Sequence, residues 1–341
     1  MSTAKVKNKK MFLADLHTHL NEKKIDPEKW WEAVKEKKLS VVAITEHTEY
    51  NPESAYRKAA ATKPEGILLI PGMEAKTNAG HLLIYAENDS LYKIKELQKI
   101  NVPIEIALGL ARENHFTVSF SHPFGYKFDS VCQIIGEEKA KRLIKKYGAG
   151  TEYYNGMLGS ANSLVFGSQW VKKLYNFFDF MEKSRAGKAT LLSRKSGKMR
   201  AKLEKISLET IDRVRKSILF SQNAPFITVG SDAHYPRTIG TAVLALKKKP
   251  KNAKDFFGAL KKKEILWAGP NIYTQEPVDR LRKKEMLEGL KYLTKKKLQR
   301  KVIKGQITNR IKKKLSAKKV RGLAKRIKNR KVVKRLKKKL W

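Results

Sequence analysis

The chain has 341 residues, a length that suits one large catalytic domain with a smaller appendage. Apolar residues make up 41% of it and aromatic residues 9%, which excludes a wholly disordered protein. The 75 Lys and Arg against 32 Asp and Glu give a net charge of +43, so we expect a polyanionic partner. The lack of a long apolar run predicts a chain without a membrane span or secretion signal. The single cysteine, Cys132, excludes an internal disulfide and a cysteine-based zinc site, and it fits a reducing, cytoplasmic location.

Short apolar runs alternate with amphipathic stretches along the first 279 residues. Seven of these runs predict strands, at 12–16, 41–44, 67–70, 81–85, 116–120, 151–154 and 226–229. Helices are expected between them, and the first has Asp26 as its N-cap and Pro27 at its first position. Strict alternation of strand and helix favours a parallel sheet, here closed into an α/β barrel, and we expect residues 1–279 to form this domain.

Two segments depart from the alternation. Residues 157–224 are first apolar and aromatic and then basic, and they predict a helical insertion over one end of the barrel, either as extra core helices or as a lid. Residues 280–341 carry 28 Lys and Arg and two acids, or +26 of the net charge. Their apolar residues recur at intervals of three to five, which predicts a basic tail of two amphipathic helices. We expect its apolar stripe to dock on the main domain and its basic face to bind nucleic acid or anionic lipid.

Six of the seven histidines lie at or beside the ends of predicted strands. His17 and His19 are two residues apart, so an extended strand places both imidazoles on one face, and Asp232 and His234 repeat that spacing. The other candidates at strand ends are His47, Glu74, His81 and His122. Because the carboxyl ends of the strands of a parallel barrel meet at one rim, we expect these side chains to converge. Imidazole and carboxylate together suit two or three divalent ions of zinc, manganese or iron.

Seven motifs resemble, in order, those of the polymerase and histidinol phosphatase (PHP) family of metal-dependent phosphoesterases. They extend from residue 12 to about residue 270 and are ADLHTH, VVAITEH, PGMEAK, GHLLIY, SHPF, TEYYNG and TVGSDAHYPRTIG. The resemblance implies a distorted (β/α)7 barrel with a trinuclear metal centre. The ligand sets that it implies are His17, His19, Glu74 and Asp232 for one metal, Glu74, His81 and His122 for a second, and His47 with His234 for a third.

Two positions depart from the family pattern. The family usually places an Asp or His five residues after the second histidine of HxH, and that residue is Lys24 here. Either Glu22 or Asp26 would then complete the third set, and we favour Glu22 because Asp26 is the expected helix cap. TEH replaces the usual TDH, which puts Glu46 beside His47, where it either acts behind the ligands or reaches a metal itself.

The chemistry expected of such a centre is phosphoester hydrolysis by a metal-activated hydroxide held by the ligands. Glu46, Glu152 and Asn155 are candidate pocket residues. The sequence has no Walker loop, GxGxxG or GxSxG motif, so nucleoside triphosphatases, dinucleotide-binding enzymes and serine hydrolases lack their usual signatures here. Because the chain is so basic, we favour a phosphodiesterase or nuclease that acts on nucleic acid or nucleotides. The alternatives are a small-molecule phosphomonoesterase of the histidinol-phosphatase type and a metal-retaining module, with little catalysis, that tethers a complex to nucleic acid or membrane.

Overall fold

A computed structural model describes residues 11–159, 169–183 and 191–273, which form a mixed α/β fold on one nine-stranded sheet. All seven predicted strands are present in this part of the chain, and two more follow them. The strands are β1 (Phe12–Thr18), β2 (Leu39–Ile44), β3 (Leu68–Thr77), β4 (Gly80–Tyr85), β5 (Thr117–Phe120), β6 (Gly150–Asn155), β7 (Ile227–Gly230), β8 (Ala242–Leu246) and β9 (Ile265–Pro270). The α-helices are α1 (Pro27–Glu36), α2 (Pro52–Ala61), α3 (Ile104–Glu113), α4 (Val131–Ile135), α5 (Glu137–Tyr147), α6 (Gln169–Lys183), α7 (Leu191–Ser221) and α8 (Ala253–Lys261).

The sheet curves into a nearly closed barrel, with the strand order β7-β6-β5-β4-β3-β2-β1-β8-β9. Residues that follow β7 bridge the gap to β1, since His19 N donates to Ala233 O over 2.9 Å and Ala233 N donates to His17 O over 3.3 Å. The two strands come this close because Gly230 has no side chain. A Cβ at this position would lie 2.2 Å from the Cβ of His17. The expected α/β barrel is confirmed in this nearly closed form.

The alternation of strand and helix is not strict, and the expectation of an all-parallel sheet is wrong. β4 runs antiparallel to both of its neighbours, β3 and β5. Only residues 78 and 79 join β3 to β4, and a connection of two residues has no room for a crossover helix. β8 and β9 extend the sheet beyond β1 as antiparallel strands. The apolar pattern did not predict them, because the Ala and Leu residues of β8 favour a helix over a strand.

Helix α1 begins as predicted and fixes the chain just after β1. Asp26 accepts a hydrogen bond from Glu28 N over 2.8 Å, and Pro27 occupies the first helical turn. Trp30 and Trp31 are buried in a cluster with apolar side chains of β1, β2 and α2. This packing anchors the far end of the short loop between β1 and α1, which carries part of the candidate site.

Two helices, α6 and α7, lie between β6 and β7, inside the predicted insertion. The C-terminal end of α7 packs on the barrel, since Ser221 Oγ is hydrogen-bonded to Thr151 Oγ1 of β6 and the ring of Phe220 lies 5.5 Å from that of Phe124. The predicted basic tail, 280–341, and its domain boundary lie outside the described residues and stay predictions. Among the helices that are described, none is long and apolar enough to cross a membrane.

Candidate metal centre

His17 and His19 lie at the carboxyl end of β1, and both are buried. His17 Nε2 is 3.2 Å from Glu74 Oε2 and 3.5 Å from Asp232 Oδ1. His19 Nε2 is 3.6 Å and 3.3 Å from the same two oxygens. One donor atom from each of these four residues lies within 4.8 Å of the other three. The structure therefore brings together the four residues that the resemblance implied for the first metal.

The carboxylate of Glu74 contacts three further histidines, His47, His81 and His122. It lies inside β3 rather than after it, and it is fully buried. Its Oε1 is 2.8 Å from His81 Nδ1 and 3.0 Å from His122 Nε2, and its Oε2 is 2.9 Å from His47 Nδ1. A second group of candidate donors consists of His47, Glu74 and His81. His122, expected in this set, contacts Glu74 but does not belong to the donor groups found in the described chain.

A third group lies beside the loop that follows β1 and consists of His19, Glu22, His47 and His234. Glu22 Oε2 lies 2.9 Å from His234 Nε2 and 3.5 Å from His47 Nε2. The ring of His19 stacks on those of His47 and His234, with centroids 4.5 Å and 4.3 Å away. Asp26, the other candidate for this set, caps helix α1 instead. The geometry therefore places Glu22, and not Asp26, with the third pair of histidines.

The imidazole and carboxylate donors of these three groups suit bound divalent cations. His19 Nε2 is buried and, among the described residues, has no hydrogen-bond partner, although it lies 3.6 Å and 3.3 Å from carboxylate oxygens of Glu74 and Asp232. Such an atom normally has a partner, and a bound cation would supply one. Burial favours a raised pKa for Glu74, but the imidazoles of His47 and His17 outweigh it and hold the pKa well below its usual range. The carboxylate is therefore available in the ionised form that binds a metal.

Two of the candidate ligands have a backbone conformation that L-residues rarely adopt. His122 has φ +26° and Asp232 has φ +53°. Each lies two residues after the end of a strand, in the turns that lead away from β5 and β7. Backbone strain of this kind persists where the surroundings enforce it, and it clusters at functional sites. Each turn aims a side chain back toward the rim, where Glu74 contacts His122 and His17 contacts Asp232.

Glu152 and Asn155, predicted as pocket residues, lie behind the candidate ligands. Glu152 Oε1 is 2.9 Å from His17 Nδ1, and its Oε2 accepts a hydrogen bond from His122 N over 2.7 Å. Asn155 Nδ2 donates to Glu152 Oε2 over 3.1 Å and to Asp232 Oδ2 over 3.2 Å. A carboxylate on the far nitrogen of a ligating histidine fixes its tautomer and its orientation. The two residues thus orient three candidate ligands from behind.

Glu46 occupies a similar position behind His19. It is fully buried, and its Oε1 lies 3.3 Å from His19 Nδ1 and accepts a hydrogen bond from His47 N over 3.1 Å. Its Oε2 accepts hydrogen bonds from the backbone of the loop after β1. Within the described residues Glu46 is in none of the three donor groups. Of the two roles foreseen for it, the structure favours the one behind the ligands.

Asp15 is a buried carboxylate of the site that the sequence analysis did not predict. It accepts hydrogen bonds from Ser231 N over 2.9 Å, Gly240 N over 2.8 Å and His17 N over 3.2 Å. Burial raises its pKa to about 6, although these hydrogen bonds oppose the rise. The signal in the sequence is an acid inside the apolar run of β1, two residues before His17. Asp15 ties β1 to the segments after β7 and so holds the rim closed.

The comparisons with known proteins bear on this barrel and its clustered imidazole and carboxylate donors. Residues 223–265 match the family model PHP_C, described as PHP-associated. That segment includes β7, β8 and the candidate ligands Asp232 and His234. The match confirms, over the segment that it covers, the resemblance to the PHP family. The comparison with curated proteins finds no relative of the chain.

Two solved structures are similar to the chain. One is a two-domain protein from Bacteroides vulgatus ATCC 8482 that contains a predicted PHP-like metal-dependent phosphoesterase. It is 15% identical, with a TM-score of 0.46, and the match covers 75% of this chain and 64% of that one. The other is PsfC from Pseudomonas syringae PB-5123, which is 12% identical, with a TM-score of 0.47 and coverage of 72% and 87%. The chain thus spans less than two thirds of the Bacteroides protein.

Proposed function

We propose that the chain is a metal-dependent hydrolase of phosphoric esters. The observation that carries this proposal is one buried carboxylate, Glu74, shared by two groups of candidate ligands. A third group lies next to them, and in the part of the chain that the structure describes the buried His19 Nε2 has no hydrogen-bond partner. Clusters of this kind, with shared carboxylates, are built for neighbouring divalent ions.

Each side chain has a definable task in the proposed centre. Glu74 and Asp232 would supply the negative charge that binds the ions, and the imidazoles would complete the coordination. When bound, neighbouring divalent ions neutralise the charge of the phosphoryl oxygens and activate a water molecule. Glu152 orients His17, and Ser130 Oγ, 3.2 Å from His122 Nδ1, orients His122. No side chain is required as a nucleophile.

For the substrate we propose a phosphodiester of nucleic acid or a nucleotide. The proposal rests on charge, since the chain carries +43 and residues 280–341 hold +26 of it. A small phosphorylated metabolite does not require such a field, whereas a polyanion is attracted and held by it. The same argument supports nucleic acid as the partner of the tail. A cytoplasmic location stays a prediction that rests on the single cysteine.

The decisive experiment is turnover of paired substrates by the full chain loaded with a defined metal. We expect hydrolysis of bis-p-nitrophenyl phosphate and of a short oligonucleotide with Mn²⁺ or Zn²⁺, and its loss in Asp232→Asn. Hydrolysis of p-nitrophenyl phosphate alone would contradict the diester proposal and favour the phosphomonoesterase. Metal binding without turnover of either ester would favour the tethering module.

The role of the tail is tested by deleting residues 280–341. Each phosphate that a protein neutralises contributes about −0.9 to the slope of log affinity against log salt for duplex DNA, or about −0.7 for single strands. A tail with about six phosphate contacts would therefore give a slope of roughly −5.4 on duplex DNA and roughly −4.2 on single strands. We expect the deletion to flatten that slope and to weaken oligonucleotide binding by orders of magnitude at low salt.

The deletion should leave hydrolysis of bis-p-nitrophenyl phosphate nearly unchanged, because every proposed ligand precedes residue 280. Fluorescence anisotropy of a labelled oligonucleotide measures the salt slope, and circular dichroism checks that the shortened chain is folded. Retained oligonucleotide binding with lost association to anionic vesicles would replace the nucleic-acid proposal by the lipid alternative.

A further inference from the structure

The carboxylate of Glu46 is saturated with hydrogen bonds from the protein itself. Its Oε2 accepts from Leu20 N over 2.9 Å, from Glu22 N over 3.2 Å and from the backbone N–H of Asn21. Its Oε1 accepts from His47 N over 3.1 Å. A carboxylate oxygen has two lone-pair positions; three backbone donors crowd those of Oε2, and His47 N together with His19 Nδ1, 3.3 Å away, takes those of Oε1. Glu46 therefore has no free position with which to bind a metal.

These hydrogen bonds define the shape of the loop after β1. Three consecutive backbone N–H groups, those of residues 20–22, converge on one oxygen of Glu46. The outer side of the loop is held separately, because Asn21 Nδ2 donates to Tyr50 O over 3.0 Å and Lys58 Nζ donates to Asn21 Oδ1 over 2.9 Å. On the inside of the loop, the buried side chain of Glu46 binds these three backbone N–H groups.

Glu22, the third of these residues, supplies the carboxylate of the third donor group. Its Oε2 is 2.9 Å from His234 Nε2, and its own backbone N–H is bound by Glu46. Glu46 also touches His19, another member of the same group, at Nδ1. The side chain of Glu46 thus reaches three of the four donors of this group, Glu22 and His47 through their backbone N–H groups and His19 through its ring.

We propose that Glu46 is a positioning residue for the third metal: it folds the 20–22 loop so that Glu22 and His19 converge with His47 and His234. The proposal rests on the metal-dependent function above and assigns the third site to a ligand and a positioning residue that belong to this loop. A positioning residue shapes the loop whether or not metal is present, and this distinguishes it from a metal ligand.

The test compares Glu46→Gln with Glu22→Gln, and with Glu53→Gln as a control on the exposed ion pair with Arg57. We expect both site variants to retain about two metal equivalents by elemental analysis and to bind the last metal 10- to 100-fold more weakly. Glu53→Gln should match the unaltered chain. The double variant should lose no more metal than either single variant, since both act on the same ion.

Amide hydrogen exchange of the metal-free protein distinguishes a positioning residue from a ligand. Substitution of a residue that only binds metal would not change the exchange rates of the loop. Glu46→Gln turns a donor toward the amides of residues 20–22, so these amides should exchange at least 10-fold faster, whereas Glu22→Gln should leave them protected. Loss of one metal with unchanged exchange would show that Glu46 is a ligand and overturn the proposal. Faster exchange with all metals bound as in the unaltered chain would overturn it as well.

Glu46→Asp keeps the proposal falsifiable if Glu46→Gln does not fold. The shorter side chain keeps its charge but does not reach the loop, so it should show the same loss of the last metal and the same faster exchange. Full metal content in a folded Glu46→Asp would contradict the proposal. Because metal content and exchange are read without turnover, a chain that binds three ions and hydrolyses no ester would refute the proposed function and leave this inference standing.

Discussion

Glu74→Gln is the substitution that should damage the proposed centre most selectively. Glutamine has the same shape as glutamate, but it replaces one acceptor oxygen by a donor and removes the charge. Glu74 belongs to two of the three donor groups, whereas the group of His19, Glu22, His47 and His234 does not include it. We therefore expect bound metal to fall from two or three equivalents to about one. The ions that would stabilise the phosphoryl group are lost with it, so hydrolysis should fall by about 10³-fold, or about 4 kcal/mol of transition-state stabilisation.

Elemental analysis of the purified variant and turnover of bis-p-nitrophenyl phosphate measure the two effects. Glu36→Gln is the matched control, because Glu36 is an exposed carboxylate at the end of α1 whose partner is Lys37. It should bind metal and hydrolyse substrate as the unaltered chain does. A folded Glu74→Gln with the full metal content would refute the assignment of Glu74 as the shared ligand. Normal metal content with lost activity would mean that Glu74 acts on the substrate and not on the ions.

Three further outcomes are expected. Gly230→Ala places a Cβ 2.2 Å from the Cβ of His17 and should destabilise the fold by about 3 kcal/mol. Gly258→Ala on α8, where the added Cβ meets no atom within 4 Å, should stabilise it by up to about 1 kcal/mol. Equal melting temperatures for the two variants would show that the closure between β7 and β1 is not tight. Asp26→Asn should leave metal content unchanged and alter stability by less than about 1 kcal/mol, because asparagine also caps helices. Loss of one metal equivalent would show that Asp26 is a ligand. Removal of metal by a chelator should lower the melting temperature by about 6–7 °C for each site that is occupied at 1,000 times its Kd, and readdition should restore it. An unchanged melting temperature at that occupancy would argue against ions bound only to the folded state.

The predicted strands and the first helix follow from local physical chemistry, which is why the sequence was sufficient for them. The apolar runs that became β1 and β2 are short and nearly continuous, with Asp15 inside the first, as expected of strands buried on both faces. Asp26 and Pro27 stand at the start of α1, where a side-chain acceptor and a missing N–H cost least. No residue far along the chain is needed for either inference.

The direction of β4 depended on the connection and not on the strand itself. His81 opens an apolar run, and in an all-parallel barrel it would lie at the amino ends of the strands, away from the rim. The short turn after β3 reverses β4, which brings His81 back to Glu74 at 2.8 Å. His81 thus reaches the rim through the reversal of β4, which an all-parallel barrel does not have.

The supporting carboxylates were harder to predict because their partners are distant in sequence. Asp15 receives hydrogen bonds from Ser231 and Gly240, which are 216 and 225 residues away. Glu46 was expected either behind the ligands or on a metal, and Glu152 in the pocket, but the sequence did not indicate the backbone amides and histidine nitrogens that their oxygens contact. Motif spacing indicates which side chains share a strand face, but it does not indicate which backbone donors the closed barrel brings to a carboxylate.

The third donor group shows how a local turn decides which residue near a motif reaches the site. Lys24 stands where the family resemblance expects a ligand, and it has φ +51° in a turn closed by hydrogen bonds from Lys24 N to Asn21 O and from Ile25 N to Leu20 O. A residue in this left-handed conformation redirects the chain, so a side chain two residues earlier meets His234 instead. The carboxylate at Glu22 and the long side chain at Glu46 are therefore physically linked. A shorter residue at 46 would not hold the 20–22 loop, and without that loop a carboxylate at 22 would have no fixed direction toward the histidines.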